Sequence, residues 1–473
     1  MGQVQEMTYI AATGALGAGV DRDALFAALD EAPSFIAADA GTTDAGAFAL
    51  GAGETAFSRD AVKRDLSLML EAGVRAGVPV IVGSAGTAGA DVHVDWVLAI
   101  AQEIADELGD PLRGSAIYAE QEQAALEASL DAGDIRPLAH ARGLSREQLS
   151  RCSHVVAMMG VEPLQRALAD EPQFIIAGRC SDAALYAAMP LMRGFPAGLA
   201  WHAGKIVECG TMACETMGPG VMVVTLRGDS FSVHPVGPGL RCTPQSVAAH
   251  SLYETANPFL FSEPSGTLDI TNSSYERQDD VTVRVTGSRF TATDRYSVKL
   301  EGAELIGFAT MLVGGVRDPL ILSQLDWWLE RIRHYIKTSV GSLMRVDLEG
   351  ERYRLGFQVY GRNAVMSELE PCSDPGHEVG IVCTTLAPTQ AEATEMARLC
   401  RQPLLHAPIP EWKGGITGFA YLHNPAWVET GPAYRFCLNH VLLGRDAQAA
   451  HRLYAVELGS SNRRAGGLNE AAR

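Results

Sequence analysis

The sequence lacks what a membrane span or a nucleic-acid surface would need. No stretch approaches the ~18 uninterrupted apolar residues of a membrane-spanning helix. Its 38 lysines and arginines stand against 56 aspartates and glutamates, and the resulting net charge of −18 repels phosphate backbones. The segment Met1–Tyr9 has neither the basic nor the apolar part of a signal peptide. We therefore expect neither a membrane nor a nucleic acid as partner, whereas a small anionic ligand needs only one local cationic pocket.

The sequence also lacks the motifs of the common metal and cofactor sites. Its nine cysteines are scattered, and none forms a Cys-x-x-Cys pair. An odd number of dispersed cysteines disfavours a disulfide framework and a closed zinc site, so we expect free thiols in a reducing cytoplasm. The glycine-rich segment Gly83–Gly89 matches neither the Walker phosphate-binding sequence nor the dinucleotide-binding fingerprint. The sequence thus predicts no metal and no cofactor.

What the sequence does contain is enough apolar material for a large core. It has 473 residues, 47% of them apolar, and at roughly 100–200 residues per domain this predicts several domains. Short apolar strands first alternate with helices, and the predicted strands cover 34–39, 79–82, 115–119, 154–159 and 173–177. This alternation predicts an α/β fold with a doubly wound, mostly parallel, Rossmann-like sheet. After Trp201, β-branched strand patterns dominate, which predicts a β-rich and α+β C-terminal part.

These changes of character suggest where the parts of the chain begin and end. We predict an α/β domain over 1–200, a β-rich region over 201–318 and an α+β unit over 319–458. The last residues, 459–473, are polar with little apolar content, so we expect a disordered tail.

Three loops follow predicted strands, at the edge where open parallel sheets bind ligands. Glycine in such loops allows close approach of a ligand, and helix N-termini favour an anion. The candidate substrate-binding residues are Gly41, Thr42, Thr43, Ser84, Gly86, Thr87, Arg179, Cys180 and Ser181. Arg179 offers a planar fork that matches a carboxylate, which is either that of a substrate or one inside the protein. Together the loops predict a site for a small anionic substrate.

Candidate catalytic residues lie in the same loops and in the segment 201–215. Glu208, Asp44 and Asp182 are candidate proton-transfer groups, and Cys209 is a candidate nucleophile. Structural roles compete with these: Asp182 is well placed to cap a helix, and Asp39 to brace the turn of the first loop. Glu208 next to Cys209 would raise the pKa of the thiol, which disfavours a thiolate.

Five sequence blocks occur together, in order, in one known family. They are FIAADAGTTDAGAFALGAG (35–53), FIIAGRCSDAALYAAMP (174–190), GKIVECG (204–210), VHPVGPGLRCTPQSVAAHSLYETANPF (233–259) and GPAYRFCLNHVLLG (431–444). With them the chain resembles the acyclic terpene utilisation (AtuA-like) family from about residue 30 to about residue 455. The resemblance implies an enzyme of acid or acyl-thioester catabolism, in some relatives with a small second polypeptide. It supplies no catalytic residues to carry over.

Residues and resemblance together favour a cofactor-independent lyase, a hydratase or dehydratase of a small carboxylic acid or its acyl-CoA thioester. Arg179 and the Ser84/Thr87 loop would hold the carboxylate, while Glu208 or Asp44 removes the adjacent proton. Two alternatives stay open: a hydrolase or thioesterase using Cys209 or Cys180, and a non-catalytic acyl-binding subunit of a larger complex. We expect a homo-oligomer, and the resemblance implies a small second subunit as a further candidate partner.

Overall fold

The computed structural model describes residues 6–139, 141–252, 257–348, 350–372, 374–413 and 415–459. By compactness the chain has two units, Met1–Glu304 with Phe436–Arg473, and Leu305–Arg435. The division predicted above, with boundaries at 200, 318 and 458, stays a prediction. The expected disordered tail lies outside the described residues, apart from Gly459.

The strands and helices follow one another along the whole described chain. The strands are β1 (Met7–Ala11), β2 (Ile36–Gly41), β3 (Val80–Thr87), β4 (Leu112–Tyr118), β5 (Ile135–Pro137), β6 (Cys152–Ala157), β7 (Phe174–Ala177), β8 (Val221–Leu226), β9 (Ser230–Val236), β10 (Leu260–Glu263), β11 (Gly266–Asp269), β12 (Ser274–Arg277), β13 (Val283–Thr286), β14 (Arg289–Ala292), β15 (Ser297–Val316), β16 (Arg354–Tyr360), β17 (Val379–Ala387), β18 (Ala420–Tyr421), β19 (Trp427–Leu443) and β20 (Arg452–Leu458). The helices are α1 (Arg22–Ala28), α2 (Phe48–Ala52), α3 (Arg59–Ala76), α4 (Asp91–Leu108), α5 (Gln123–Asp131), α6 (Arg146–Ser150), α7 (Val161–Leu168), α8 (Asp182–Met192), α9 (Ala197–Val207), α10 (Pro244–Ser251), α11 (Pro319–Leu322), α12 (Leu325–Met344), α13 (Gln390–His406) and α14 (Arg445–Ala449).

A ten-stranded mixed sheet forms the centre of the first unit, in the order β12-β13-β9-β8-β1-β2-β3-β7-β4-β20. Strands β1, β2, β3, β7 and β4 pair in parallel, and the strands outside them pair antiparallel. This arrangement confirms an α/β architecture with a large mixed sheet that includes parallel strands. The later strands confirm a β-rich C-terminal part.

The parallel strands are buried on both faces, which explains why their sequences are apolar without alternation. On one face, Ile36 and Val80 share a core cluster with residues of α3 and α4. On the other face, Phe35 and Ile81 share a cluster with residues of α8 and α9. Because helices cover both faces, the polar side chains of these strands can reach solvent only at the strand ends.

Helix α3 shows how closely local sequence sets the element boundaries. The Ser58 hydroxyl accepts from the Ala61 N–H at 3.3 Å, as an N-cap does. The helix ends at Gly77, which has a φ of 67° and lets the chain turn back toward β3. Both ends of this helix are therefore set by residues next to them in the sequence.

One sequence prediction about an element was wrong. The segment 154–159 was expected in the parallel sheet, but β6 pairs antiparallel with residues 300–304 of β15. After Trp201 the chain first completes α9 at Val207, and the strands of the β-rich part begin with β8. Small residues explain this helix, since Gly204 lies directly against the backbone of Ala183 in α8 and a side chain there would clash.

The second unit, Leu305–Arg435, follows a β-α-β-β-α-β order. Its strands, residues 305–316 of β15, then β16, β17 and residues 427–435 of β19, lie in the order β16-β17-β15-β19. Helices α12 and α13 contribute Trp328, Ile332 and Met396 to its own core cluster. This is the split β-α-β topology. Within the described part of the chain, no helix has both the length and the apolar character to cross a bilayer.

Candidate active site

A cavity of about 690 Å³ opens at the carboxyl end of the parallel strands in the first unit. The loops that follow β1, β2 and β7 form its wall, together with the end of α9 and the segment 217–220. The predicted site residues on this wall are Gly41, Thr42, Thr43, Asp44, Arg179, Asp182, Glu208 and Cys209. Those behind it are Ser84, Gly86, Thr87, Cys180 and Ser181. The fold therefore brings the first and third predicted loops to one place.

Arg179 is held by a carboxylate of the protein itself. Its Nε donates to Oε2 of Glu301 at 2.8 Å and its Nη2 donates to Oε1 at 3.3 Å. Lys299 donates to the same Oε1 at 2.9 Å. Burial opposes the charge on Glu301, but Arg179 and Lys299 outweigh it and lower the pKa of that carboxyl to about 2. Of the two partners that the sequence allowed for Arg179, the structure shows the internal one.

The second predicted loop supports Arg179 from behind. Ser84 is fully buried, and its Oγ accepts from Arg179 Nη1 at 3.3 Å and from the Cys180 N–H at 3.2 Å. Thr87 Oγ1 accepts from the Ala56 N–H at 2.9 Å, and the Thr87 carbonyl accepts from the Thr42 N–H. Ser84 and Thr87 have φ angles of 47° and 84°, a strained region for residues with a side chain. These hydroxyls hold the neighbouring loops in place.

Asp39 lies at the end of β2, only 2% exposed. Its Oδ2 accepts from the Gly41 N–H at 2.7 Å, so it braces the turn as the sequence suggested. Its Oδ1 has no hydrogen-bond partner among the described residues. Burial raises the pKa of Asp39 well above its ordinary value, Asp182 adds to this, and Arg179 opposes it. A buried carboxyl with a raised pKa therefore lies on the cavity wall.

Glu208, at the end of α9, is a second buried carboxyl on the same wall. Lys205, one turn earlier, donates to its Oε1. Burial raises the pKa of Glu208 to about 8, against the lowering effect of Lys205 and with a further rise from Asp182. A pKa in this range suits a group that both takes and gives a proton near neutral pH.

Ser181 and Cys180 lie behind the wall, at the start of α8. The Ser181 hydroxyl donates to Oε2 of Glu263 at 2.7 Å, and burial raises the pKa of Glu263 to about 7. Cys180 is fully buried, and burial together with Asp39 raises the pKa of its thiol well above the ordinary value. A thiol in this position is a poor nucleophile, because the thiolate is the reactive form.

The loop after β1 was missing from the sequence predictions. Its glycine-rich run, residues 13–19, brings Thr13 and Gly14 to the cavity wall. Gly14 lies so close to the backbone of Cys209 that a Cβ would be 2.5 Å from the Cys209 carbonyl carbon. Buried Asp65 in α3 anchors this loop by accepting from the N–H groups of Gly17 and Gly19 at 2.9 Å each. The glycine run was a visible signal, whereas the contact with Asp65 spans about 46 residues and leaves no local pattern.

A family model described as "Acyclic terpene utilisation family protein AtuA" matches residues 38–421. The chain belongs to the acyclic terpene utilisation family. The match covers most of the chain and includes the site loops that follow β2 and β7, so the resemblance predicted from the sequence is confirmed. No curated protein and no solved structure matches the chain.

Acidic groups dominate the wall of this family member's cavity. Asp39, Asp44, Asp182 and Glu208 face it, and Arg179 is its cationic side chain. Among the described residues, no group of three or more histidine, cysteine or carboxylate side chains could hold a metal ion. The arrangement offers proton transfer from buried acids beside a polar wall, and Cys209 is the thiol on that wall.

Proposed function

We propose that this protein is a cofactor-independent hydro-lyase, which adds or removes water across a carbon–carbon double bond of a small carboxylic acid or its acyl thioester. The observation that carries this proposal is the pair of buried carboxyl groups, Asp39 and Glu208, with raised pKa values on one cavity wall. Two acids that differ in proton affinity fit a reaction that needs one base and one acid.

In the dehydration direction, Glu208 in its ionised form accepts the proton from the carbon next to the carbonyl group. Asp39 in its protonated form gives its proton to the hydroxyl that leaves as water, and the double bond forms between the two carbons. In hydration the two groups exchange roles. Each such proton transfer contributes roughly 10²–10⁴-fold to the rate. Asp44 is the less suited candidate because it is exposed at the rim, where water competes with a substrate for its carboxylate.

The family description refers to the utilisation of acyclic terpenes, which supports a reaction in catabolism. Apolar side chains at the cavity mouth support a substrate with a hydrocarbon portion. Met212 and Met217 line the cavity mouth, 40% and 74% exposed, beside Pro219. Methionine side chains adapt to irregular apolar groups, so they suit an alkyl chain next to a polar wall.

Three further parts of the proposal concern the protein as a whole. We infer that the first unit is doubly wound and Rossmann-like, because helices contribute to cores on both faces of its sheet. The scattered, odd set of cysteines favours the cytoplasm. We also infer self-association, which light scattering of the purified protein tests.

The hydro-lyase proposal is tested by incubating the protein with unsaturated and hydroxylated acids and their coenzyme A thioesters. The conjugated alkene absorbs in the ultraviolet, so its appearance or loss reports the reaction. We expect at least one pair to interconvert, and Glu208→Gln to abolish most of the rate. If no member of a broad panel changes with the wild-type protein, the proposal fails. Binding without any change would favour the non-catalytic acyl-binding alternative.

One observation favours a second candidate, a cysteine-dependent acyl hydrolase. Cys209 lies on the cavity wall, next to the substrate space. Because Cys180 is buried with a raised pKa, this candidate depends on Cys209. It predicts a covalent acyl adduct on Cys209 in mass spectrometry and inactivation by iodoacetamide.

A further inference from the structure

The charge around Arg179 is already balanced before any substrate binds. Every guanidinium nitrogen donates internally, Nε and Nη2 to Glu301 and Nη1 to Ser84. Nη1 also lies 3.9 Å from Oδ1 of Asp182. Arg179 and Lys299 together carry two positive charges, and Glu301 and Asp182 carry two negative ones. The site therefore has no surplus cation for a ligand.

A free carboxylate in this cavity would meet unfavourable neighbours. A guanidinium can bind a carboxylate in a bidentate way at its Nε/Nη2 edge or at its Nη1/Nη2 edge, and at the first of these the ligand would have to displace Glu301. At Nη1 it would lie near Asp182, and like charges at such distances repel in a partly buried site. Asp44 adds a further acidic group to the wall. Among the described residues on the wall, Arg179 is the single lysine or arginine.

A neutral carbonyl meets no such penalty, and its chemistry fits the acids present. It brings no further negative charge to the wall that carries Asp44 and Asp182. Loss of the proton next to a thioester carbonyl gives a singly charged enolate. The same loss from a carboxylate gives a dianion, for which this balanced site offers no additional cation.

We infer that the cavity selects the neutral carbonyl of an acyl thioester over the free carboxylate of the same acid, and that Glu301 is the residue that determines this specificity. The inference rests on the proposed function and narrows its substrate class. Glu301 acts through Arg179, by neutralising it, and is a positioning residue that does not touch the substrate.

The test compares two forms of one acyl group. The probes are the N-acetylcysteamine thioester of but-2-enoic acid, which lacks the phosphates of coenzyme A, and but-2-enoate itself. The methyl ester, which is neutral but small, separates the effect of charge from that of size. By calorimetry at pH 8 we expect the thioester to bind at least tenfold more tightly than the acid, with the ester also tighter than the acid. Equal or tighter binding of the acid, or no binding of the thioester, overturns the inference.

Two variants, Glu301→Gln and the matched control Glu304→Gln, test whether Glu301 causes the preference for the thioester. Glu304 lies on the same strand, is equally buried, and pairs with Arg151 at 3.0 Å away from the cavity wall. We expect Glu301→Gln to reduce the thioester preference to threefold or less by improving acid binding, and Glu304→Gln to keep it. An unchanged preference in a folded Glu301→Gln protein overturns the role of Glu301, and the wild-type comparison decides the selectivity even if that variant does not fold.

These outcomes separate the inference from the proposed function. If the protein binds the thioester more tightly but converts no member of the panel, the hydro-lyase proposal is wrong and the inferred selectivity is supported. If it converts a member of the panel but binds the free acid more tightly, the selectivity is wrong and the hydro-lyase proposal is supported.

Discussion

The two ends of the parallel sheet carry cavities of nearly equal size and different chemistry. The cavity at the carboxyl end has about 690 Å³, and a second one at the amino end, beside Ser34, Pro79 and Gln173, has about 640 Å³. The first is walled by four acidic side chains and Arg179. The lining of the second includes one acidic side chain, Glu171, and five larger apolar ones, Val74, Val78, Leu168, Met189 and Met192. The two cavities therefore differ in their ionisable groups and hardly in their volume, and perturbed ionisable groups are the feature that is typical of functional sites.

The difference follows from the direction of the chain. At the carboxyl end, strands run into loops and helix N-termini, where free N–H groups stabilise carboxylates and anions. At the amino end, helix α3 finishes at Gly77 and the chain enters β3 through Val78 and Pro79, so helix carbonyls and apolar side chains meet there. Glu171 and Arg193 are its charged residues, and both are exposed. They serve as matched controls for the acids and the arginine of the other end.

The largest difference between the two ends should appear in catalysis. Glu208→Gln removes a buried proton-transfer group, and we expect the turnover rate to fall by about 10²–10⁴-fold. Glu171→Gln changes an equivalent side chain at the amino-end cavity and should leave the rate at its wild-type value. Initial rates of alkene formation measure both. Wild-type activity in Glu208→Gln would show that Glu208 at the carboxyl-end cavity does not carry the proton transfer.

The second difference concerns stability. Arg179→Met leaves Glu301 buried with Lys299 as its partner, and breaking a buried ion pair in this way costs about 3–5 kcal/mol. We expect a loss of about 3 kcal/mol in the free energy of unfolding, since Lys299 compensates in part. The Arg193 guanidinium donates to Ser34 at 2.9 Å on the surface. Arg193→Met should therefore change the free energy of unfolding by less than about 0.5 kcal/mol. Urea titrations measure both. Equal losses would mean that the ion pair around Arg179 is no more structural than a surface contact.

The third difference is in the pH dependence of stability. Burial raises the pKa of Glu208 from 4.5 to about 8 and that of Glu263 from 4.5 to about 7. Between pH 4.5 and these raised values, the folded protein keeps protons that the unfolded chain has released. The free energy of unfolding contributed by these groups therefore falls as the pH rises. One such group contributes at most about 1.4 kcal/mol per pH unit. Below about pH 6.5 the buried histidines His202, His250 and His451, whose pKa values are lowered by burial, have the opposite effect on stability. Urea titrations from about pH 7 to about pH 8 should therefore show the decline, shallower in Glu208→Gln and unchanged in Glu171→Gln. A wild-type curve that rises over this range would contradict the raised pKa values.

The carboxyl end was largely predictable from sequence because its signals are local. The apolar run before Asp39 and the one before Arg179 identify strands, and the glycines after them identify loops that approach a ligand. Helix α3 carries its own start and stop signals in Ser58 and Gly77. These features need no knowledge of distant residues.

What the sequence could not provide depends on contacts between distant residues. Arg179 and Glu301 are 122 residues apart, so the partner of the arginine leaves no linear pattern. The segment around His154 has the composition of a buried strand, but whether it joins the parallel sheet or pairs with β15 depends on tertiary packing. Strand β1 has only five residues, too few to show a period beside the glycine run that follows it. For the same reason Asp39 was read as a turn brace, and its burial and raised pKa became visible only in the fold.

The smallest expected effect concerns the thiol of the carboxyl-end cavity. If acids carry the reaction, Cys209→Ala should change the turnover rate by no more than about twofold, the equivalent of about 0.4 kcal/mol. Iodoacetamide should then modify exposed Cys372 without loss of activity, and a Cys372→Ala protein controls for that site. A loss above about 10²-fold in Cys209→Ala, with an acyl adduct on the wild-type thiol, would assign the reaction to the cysteine hydrolase. The contrast between the two ends of the sheet would then rest on a nucleophile, and the raised pKa values of Asp39 and Glu208 would describe the surroundings of that nucleophile instead of the acid and base.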